Sequence, residues 1–298
     1  MVFMRQDISL IWSQDIRRLV DPVPTAPLAA RGEGLDGPAG RIFGGQAIAQ
    51  ALMAAAQAEG QGRLAHSLHA SFLRAGDVGK AVDYHVTEHF LGRSFANRQV
   101  IATQDGQPIL VVQVSFHGAE DGHVHQVDMR THLTPEQSAD RLRQWRNRTD
   151  ERGRLFADRL DGRPIEIVPI DPDALFGAEP QSPRSAWWMR LRHPAGAEPA
   201  VQRALLAYAS DMMLLRTAMF PHGIRPFSRG VQTASLDHAI WFHDTPDMDD
   251  WLLFETDSPW AGHARGLSRG HFFTAQGRLV ASVAQESLMR MRRPPTPD

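Results

Sequence analysis

Residues 204–220, ALLAYASDMMLLRTAMF, are apolar on nearly every side of a helix, which predicts a helix buried in the middle of the protein. Two charges interrupt it, Asp211 and Arg216, about 140° apart around the axis, so they share no face. At helical spacing Asp211 has only Ala207, Tyr208, Leu214 and Leu215 for neighbours. A lone carboxylate there is costly unless something hydrogen-bonds it. Two readings follow: an N-cap, with Ser210-Asp211 starting a shorter helix, or a functional carboxylate at one end of a central helix.

A second helix is predicted over residues 42–60, opened by Gly44-Gly45 and ended by Gly60. Alanines at 47, 49, 51, 54, 55 and 56 make it thin, which suits close wrapping by a curved sheet. Residues 20–40, rich in Pro, Ala and Gly, read as a loop. Strands are predicted over residues 66–73, 81–90, 94–104 and 108–117, the last two joined by an Asp105-Gly106 turn. Residues 134–160 are polar, with TPEQ as a capping box, and read as a helical linker. The second half repeats the order: strands over 165–170 and 186–192, the helix around Asp211, then strands over 231–242, 251–257, 264–274 and 278–291, with a turn at Gln276-Gly277.

Residue echoes accompany the repeated order. His69-Ala70 precedes His238-Ala239, Arg98 precedes Arg269, and Gly106 precedes Gly277 at nearly constant separation. One long repeat implies a duplicated domain rather than a solenoid. The stretches IFGGQAIAQAL, HSLHASFLRAGD, GRSFANRQV, AYASD, ASLDHAIWFH, WLLFETDSPWAGHARGL and ASVAQESLMR span most of both halves. Through them the chain resembles the acyl-CoA thioesterase II, TesB-type, family. The resemblance implies an α+β double hotdog: two tandem repeats of an antiparallel sheet wrapped around a central helix. The expected divisions are an N-terminal unit over 8–118, a partly helical linker over 119–164, a C-terminal unit over 165–292 and a tail over 293–298.

The formal net charge of −2 gives no basic surface for nucleic acid or an anionic membrane. The absence of cysteine removes disulfides, thiolate nucleophiles and zinc-thiolate sites. No signal-peptide pattern and no membrane-length apolar run is present, so a cytoplasmic protein is expected, without a cofactor.

Several motifs fail their own tests. The GxGxxG match over 32–37 has no strand before it and no helix opening on it. The GxSxG match over 266–270 needs an acid and then a histidine, but only the adjacent His271 follows. His117, His123 and His125, with Glu120 and Asp121, lack a metal-ligand spacing and read as a polar loop. Asp237 and His238 look like a catalytic pair, but adjacent strand residues face opposite ways.

The family resemblance implies instead that Asp211 in AYASD, Ser235 in ASLDH and Gln285 in VAQES hold an attacking water. The residues agree: Gln285 is polar on a strand face otherwise made by Leu279, Ala281 and Val283, where a bare amide would be penalised. Gly45, Gln46, Arg74, Arg93 and Arg265 are the substrate-binding candidates, with Arg98 and Arg269 as further cations for CoA phosphates. Gln46 is expected near the place that Asp211 holds in the second half, so one site per chain follows. Acyl-CoA is the expected substrate, and a homodimer or homotetramer the expected assembly. A hotdog enoyl-CoA hydratase and a non-catalytic acyl-CoA-binding protein are the alternatives.

Overall fold

The computed structural model describes residues 16–34, 40–176, 179–224 and 230–291. The expected tail at 293–298 and the first residues of the N-terminal unit lie outside these. A 3-10 turn (Ile16–Leu19) leads into β1 (Val23–Ala26) and β2 (Ala29–Glu33). Helix α1 (Gly44–Gln57) follows, then β3 (Leu64–Phe72), β4 (Ala81–Leu91), β5 (Phe95–Gln104) and β6 (Gln107–His117). Helices α2 (Pro135–Arg148) and α3 (Glu151–Asp161) form the linker. The second half runs β7 (Ile165–Pro169), the short α4 (Pro172–Phe176), β8 (Arg184–Leu191), α5 (Pro199–Ser210), α6 (Leu214–Met219), β9 (Val231–Ser235), β10 (Asp237–Phe242), β11 (Leu252–Gly262), β12 (Arg265–Thr274) and β13 (Leu279–Met291).

Among the described residues the strands join one sheet, ordered β1-β2-β4-β5-β6-β3-β10-β13-β12-β11-β8-β7, with β9 beside β13. The order is a palindrome about β3 and β10, which pair antiparallel with Ala70 opposite His238 and His69 opposite Ala239. The first half-sheet packs on α1 and the second on α6, while α1 and α5 pack on each other inside. This is the double hotdog. Both helices are buried on nearly every side, which is why their sequences show no polar face.

The linker does more than connect. Gln126 exchanges bonds with Gly277 and Leu279 across the β12–β13 turn. Arg130 and His132 both hold the buried Glu255, and Leu133 takes the Trp188 indole N–H. Residues 126–133 therefore line the second half-sheet, where Val168, Ala186, Trp188, Leu253 and Phe273 form a separate small core. Thr134 caps α2 with its hydroxyl, and Gln137 completes the capping box.

Four expectations need correction. Residues 20–40 hold the edge hairpin β1–β2 as well as loop; Pro24 and a fully exposed β1 fit an edge strand, where a missing N–H costs nothing. Gly32 lies within β2, so a strand does carry the first glycine of the GxGxxG match; a Cβ there would meet Gln50 Oε1 of α1 at 2.2 Å, so its role is close packing. His117 ends β6 and stacks on Phe95 rather than sitting in a loop. The echoes are one residue out of step. His69 and Arg269 are exposed, whereas His238 and Arg98 are buried. The ladders make Leu68, Val114 and Arg98 one rung set; the matching set is Ser268 opposite Gln285, with His238 bonded to Gln285 by its side chain. All six are buried.

Candidate active site

The predicted 204–220 helix is two helices. α5 ends at Ser210, Asp211 is its C-cap, and Met213 takes a left-handed conformation at φ 69° before α6 begins. A left-handed non-glycine residue is strained by roughly 1–2 kcal/mol, and here it accompanies the turn that ends α5 beside Asp211. The N-cap reading of Ser210-Asp211 is therefore wrong: the carboxylate closes a helix rather than opening one.

Asp211 is 8% exposed. The Gly45 backbone N–H donates to its Oδ2 at 2.8 Å, and the Ser235 hydroxyl donates to Oδ1 at 3.1 Å. The first turn of α1 thus meets the last turn of α5. Gly44 and Gly45 are required by that meeting: a Cβ on Gly44 would stand 2.7 Å from Asp211 Oδ2, and one on Gly45 2.4 Å from the Tyr208 carbonyl oxygen. Burial pushes the Asp211 carboxyl up to about 6, against the opposing pull of Ser235, Gly45 and Gln285.

Ser235 ends β9 opposite Ser287 of β13. Two residues along, Gln285 Nε2 donates to Ser235 Oγ and to Ser287 Oγ, both at 3.1 Å. Its Oε1 lies 2.6 Å from His238 Nδ1, and His238 Nε2 lies 2.9 Å from Ser210 Oγ. Ser210 Oγ is also 2.9 Å from the Ala207 carbonyl. Burial holds His238 down at about 4, with the Gln285 bond opposing, so it is neutral at ordinary pH. The structure therefore gathers all three sequence-predicted residues into one network, Asp211–Ser235–Gln285, and extends it to His238 and Ser210.

Asp237 points outward, accepting the Glu286 N–H, so the Asp237–His238 pair is no pair. His238 itself belongs to the site's network, which the sequence reading missed. Its signal was the alternation that puts His238 with Ile240 and Phe242 on the buried face of β10.

Of the substrate-binding candidates, Gly45 touches this network. Gln46 donates to the Glu33 carbonyl oxygen from the N-terminal end of α1. It sits at the opposite end of its helix from Asp211, which closes the C-terminal end of α5; the C-cap of α1 is Ala58. Arg74 bonds the Pro108 carbonyl oxygen, and Arg93 is exposed. Arg265 pairs with Glu286, next in sequence to Gln285. Arg269 pairs with Asp257. Arg98 is buried beside Glu88, closed to a phosphate. Ser268 lies in β12 as expected, its buried hydroxyl without a partner. Among the described residues no group of His, Asp and Glu gathers as a metal site, and no helix is long and apolar enough to cross a membrane.

A model of the acyl-CoA thioesterase N-terminal domain matches residues 35–117, and a model of the C-terminal domain matches 114–289. The chain belongs to the TesB-type acyl-CoA thioesterase family. Among this family's curated members it is 37% identical to human acyl-coenzyme A thioesterase 8 over 265 residues, covering 86% of this chain and 82% of that one. It is 33% identical to acyl-CoA thioesterase 2 of Haemophilus influenzae, with 88% and 92% covered. A crystal structure of the acyl-CoA thioesterase II TesB2 from Mycobacterium marinum is 32% identical, with a TM-score of 0.75 over 93% of this chain and 98% of that one.

Proposed function

We propose that this thioesterase hydrolyses acyl-CoA to a fatty acid and CoA with a water activated by Asp211 and positioned by Ser235 and Gln285. The carrying observation is a buried carboxylate, raised to about 6, that receives the Ser235 hydroxyl while Gln285 holds that hydroxyl from behind. The water oxygen bonds to the thioester carbon, its proton passes to Asp211, and the C–S bond breaks as CoA thiolate leaves. A general base poised near neutrality suits this step. The first turn of α1 faces Asp211 and offers backbone dipoles to the developing oxyanion. No acyl-enzyme is needed, since the water attacks directly.

Two hotdog units over 8–118 and 165–292, joined by 119–164, are our division of the chain. The second unit carries the three residues, and the first contributes Gly44 and Gly45 from α1. We assign the chain to the cytoplasm and expect double units to pair as homodimers or homotetramers. Arg265, one residue from the Ser287–Ser235 rung on the neighbouring strand, is the preferred cation for CoA.

Turnover of acyl-CoAs of graded length, followed by a thiol reagent, tests the reaction; the protein has no cysteine to react. Release of free CoA is the expected result. An enoyl-CoA hydratase or a binding protein would release none.

A further inference from the structure

We propose that His238 is a positioning residue: as its Nδ1–H tautomer it fixes the Gln285 amide with its NH₂ toward Ser235, so that the Ser235 proton is delivered to Asp211. The inference rests on the roles proposed above for Asp211, Ser235 and Gln285.

The argument is one of donors and acceptors. The network runs Ala207 carbonyl, Ser210 hydroxyl, His238 imidazole, Gln285 amide, Ser235 hydroxyl, Asp211 carboxylate. Its two ends are acceptors. Each hydroxyl has one proton, a neutral imidazole has one N–H and the amide donates from one end only, so five links share four donors and one link goes without a proton. An ionised carboxylate is a stronger acceptor than a peptide carbonyl. With Asp211 ionised the link left without a proton is the one to the weaker acceptor, the Ala207 carbonyl oxygen beside Ser210, and the rest point toward Asp211: Ser210 donates to His238 Nε2, His238 Nδ1–H donates to Gln285 Oε1, Gln285 donates to Ser235, and Ser235 donates to Asp211. Turned over, the amide would present its oxygen to Ser235 and draw that proton away. Ser235 Oγ would then set a lone pair against the Asp211 carboxylate, and only the Gly45 N–H would hold the base.

Ser287, the other partner of Gln285 Nε2, has a hydroxyl that accepts or donates, so it does not choose between the two amide orientations. His238 does. The fold also accepts apolar side chains at this place. The places of His238 and Gln285, whose side chains meet between β10 and β13, are held in the first half by Leu68 and Val114, paired across β3 and β6. Both sites are equally buried, so an apolar pair fills this position in the same sheet. The polar pair stands only in the half that carries Asp211.

The experiment compares His238→Leu, which installs the side chain of the first half, with His238→Asn, whose amide nitrogen falls near Nδ1. Steady-state kinetics are measured in the wild-type and Asp211→Asn backgrounds, with thermal melting of each variant. Nitrogen-15 NMR of the imidazole in the wild-type protein reports which nitrogen carries the proton. The expected results are an Nδ1–H tautomer and a fall in kcat of about 10²-fold in His238→Leu, as for a small misplacement of reacting groups. KM should hold, and the acid limb of kcat/KM should move to higher pH. His238→Asn should recover most of the loss, and His238→Leu should cost nothing further in Asp211→Asn. Wild-type kcat in His238→Leu, equal impairment in His238→Asn, or an Nε2–H tautomer at pH 8 would overturn the proposal. A wild-type protein that releases no CoA, or a fully active Asp211→Asn, would instead overturn the roles it rests on. The tautomer measurement answers for His238 in either case.

Discussion

Replacing Asp211 by Asn should make the protein more stable at pH 8 than at pH 4, relative to wild type. The Asp211 carboxyl is raised from 3.8 to about 6 by burial, so the native state resists its ionisation. The stability that this group contributes is present in full below about 3.8. It is lost as pH rises through about 6. A shift of roughly two units at about 1.4 kcal/mol each puts the loss near 3 kcal/mol. Asparagine does not titrate, so Asp211→Asn escapes it. His238, held at about 4, titrates in both proteins and cancels in the difference. Denaturant unfolding of both proteins from pH 4 to pH 8 measures the gap. It should open by ~3 kcal/mol, centred between pH 4 and 6, whatever fixed offset the lost hydrogen bonds impose. A gap independent of pH, or one that closes as pH rises, would refute the reasoning.

The same group sets the acid limb of kcat/KM, which should fall below about pH 6 as Asp211 takes a proton; a limb near pH 4 would assign the base elsewhere. Gly44→Ala places a Cβ 2.7 Å from Asp211 Oδ2 and 3.0 Å from the Phe72 ring. Kinetics should show a loss of about 10²-fold, and unfolding a cost of about 1–3 kcal/mol from overpacking. Gln285→Ala should slow turnover by a similar factor and leave KM nearly unchanged. Ser268→Ala removes a buried hydroxyl that has no partner, so activity should hold and stability should stay level or rise.

Strand and helix positions were legible because the signals are local. Alternation along 81–90 and 94–104, and the alanine run after Gly44-Gly45, each gave an element that the structure shows within a few residues. The hairpin β1–β2 was hidden because its prolines and exposed side chains look like loop. The break after Ser210 was hidden because Met213, which turns left-handed, is not the glycine that usually marks such a turn. Asp211 and Gln285 stood out as polar residues on apolar faces. His238 was discounted with its neighbour Asp237, because strand alternation shows which of two adjacent residues is buried only once the sheet's inner face is known. Gly44 and Gly45 showed as a helix opening. The carboxylate packed against them comes from 166 residues away, a distance that no local pattern spans.

The central claim is that Asp211 is the base for thioester hydrolysis. Steady-state release of CoA by wild type and Asp211→Asn at pH 8, with calorimetric binding of a non-hydrolysable acyl-CoA analogue to both, tests it most directly. The account predicts a fall in kcat/KM of ~10²–10⁴-fold with analogue binding little changed. Full activity in a folded Asp211→Asn protein would contradict it.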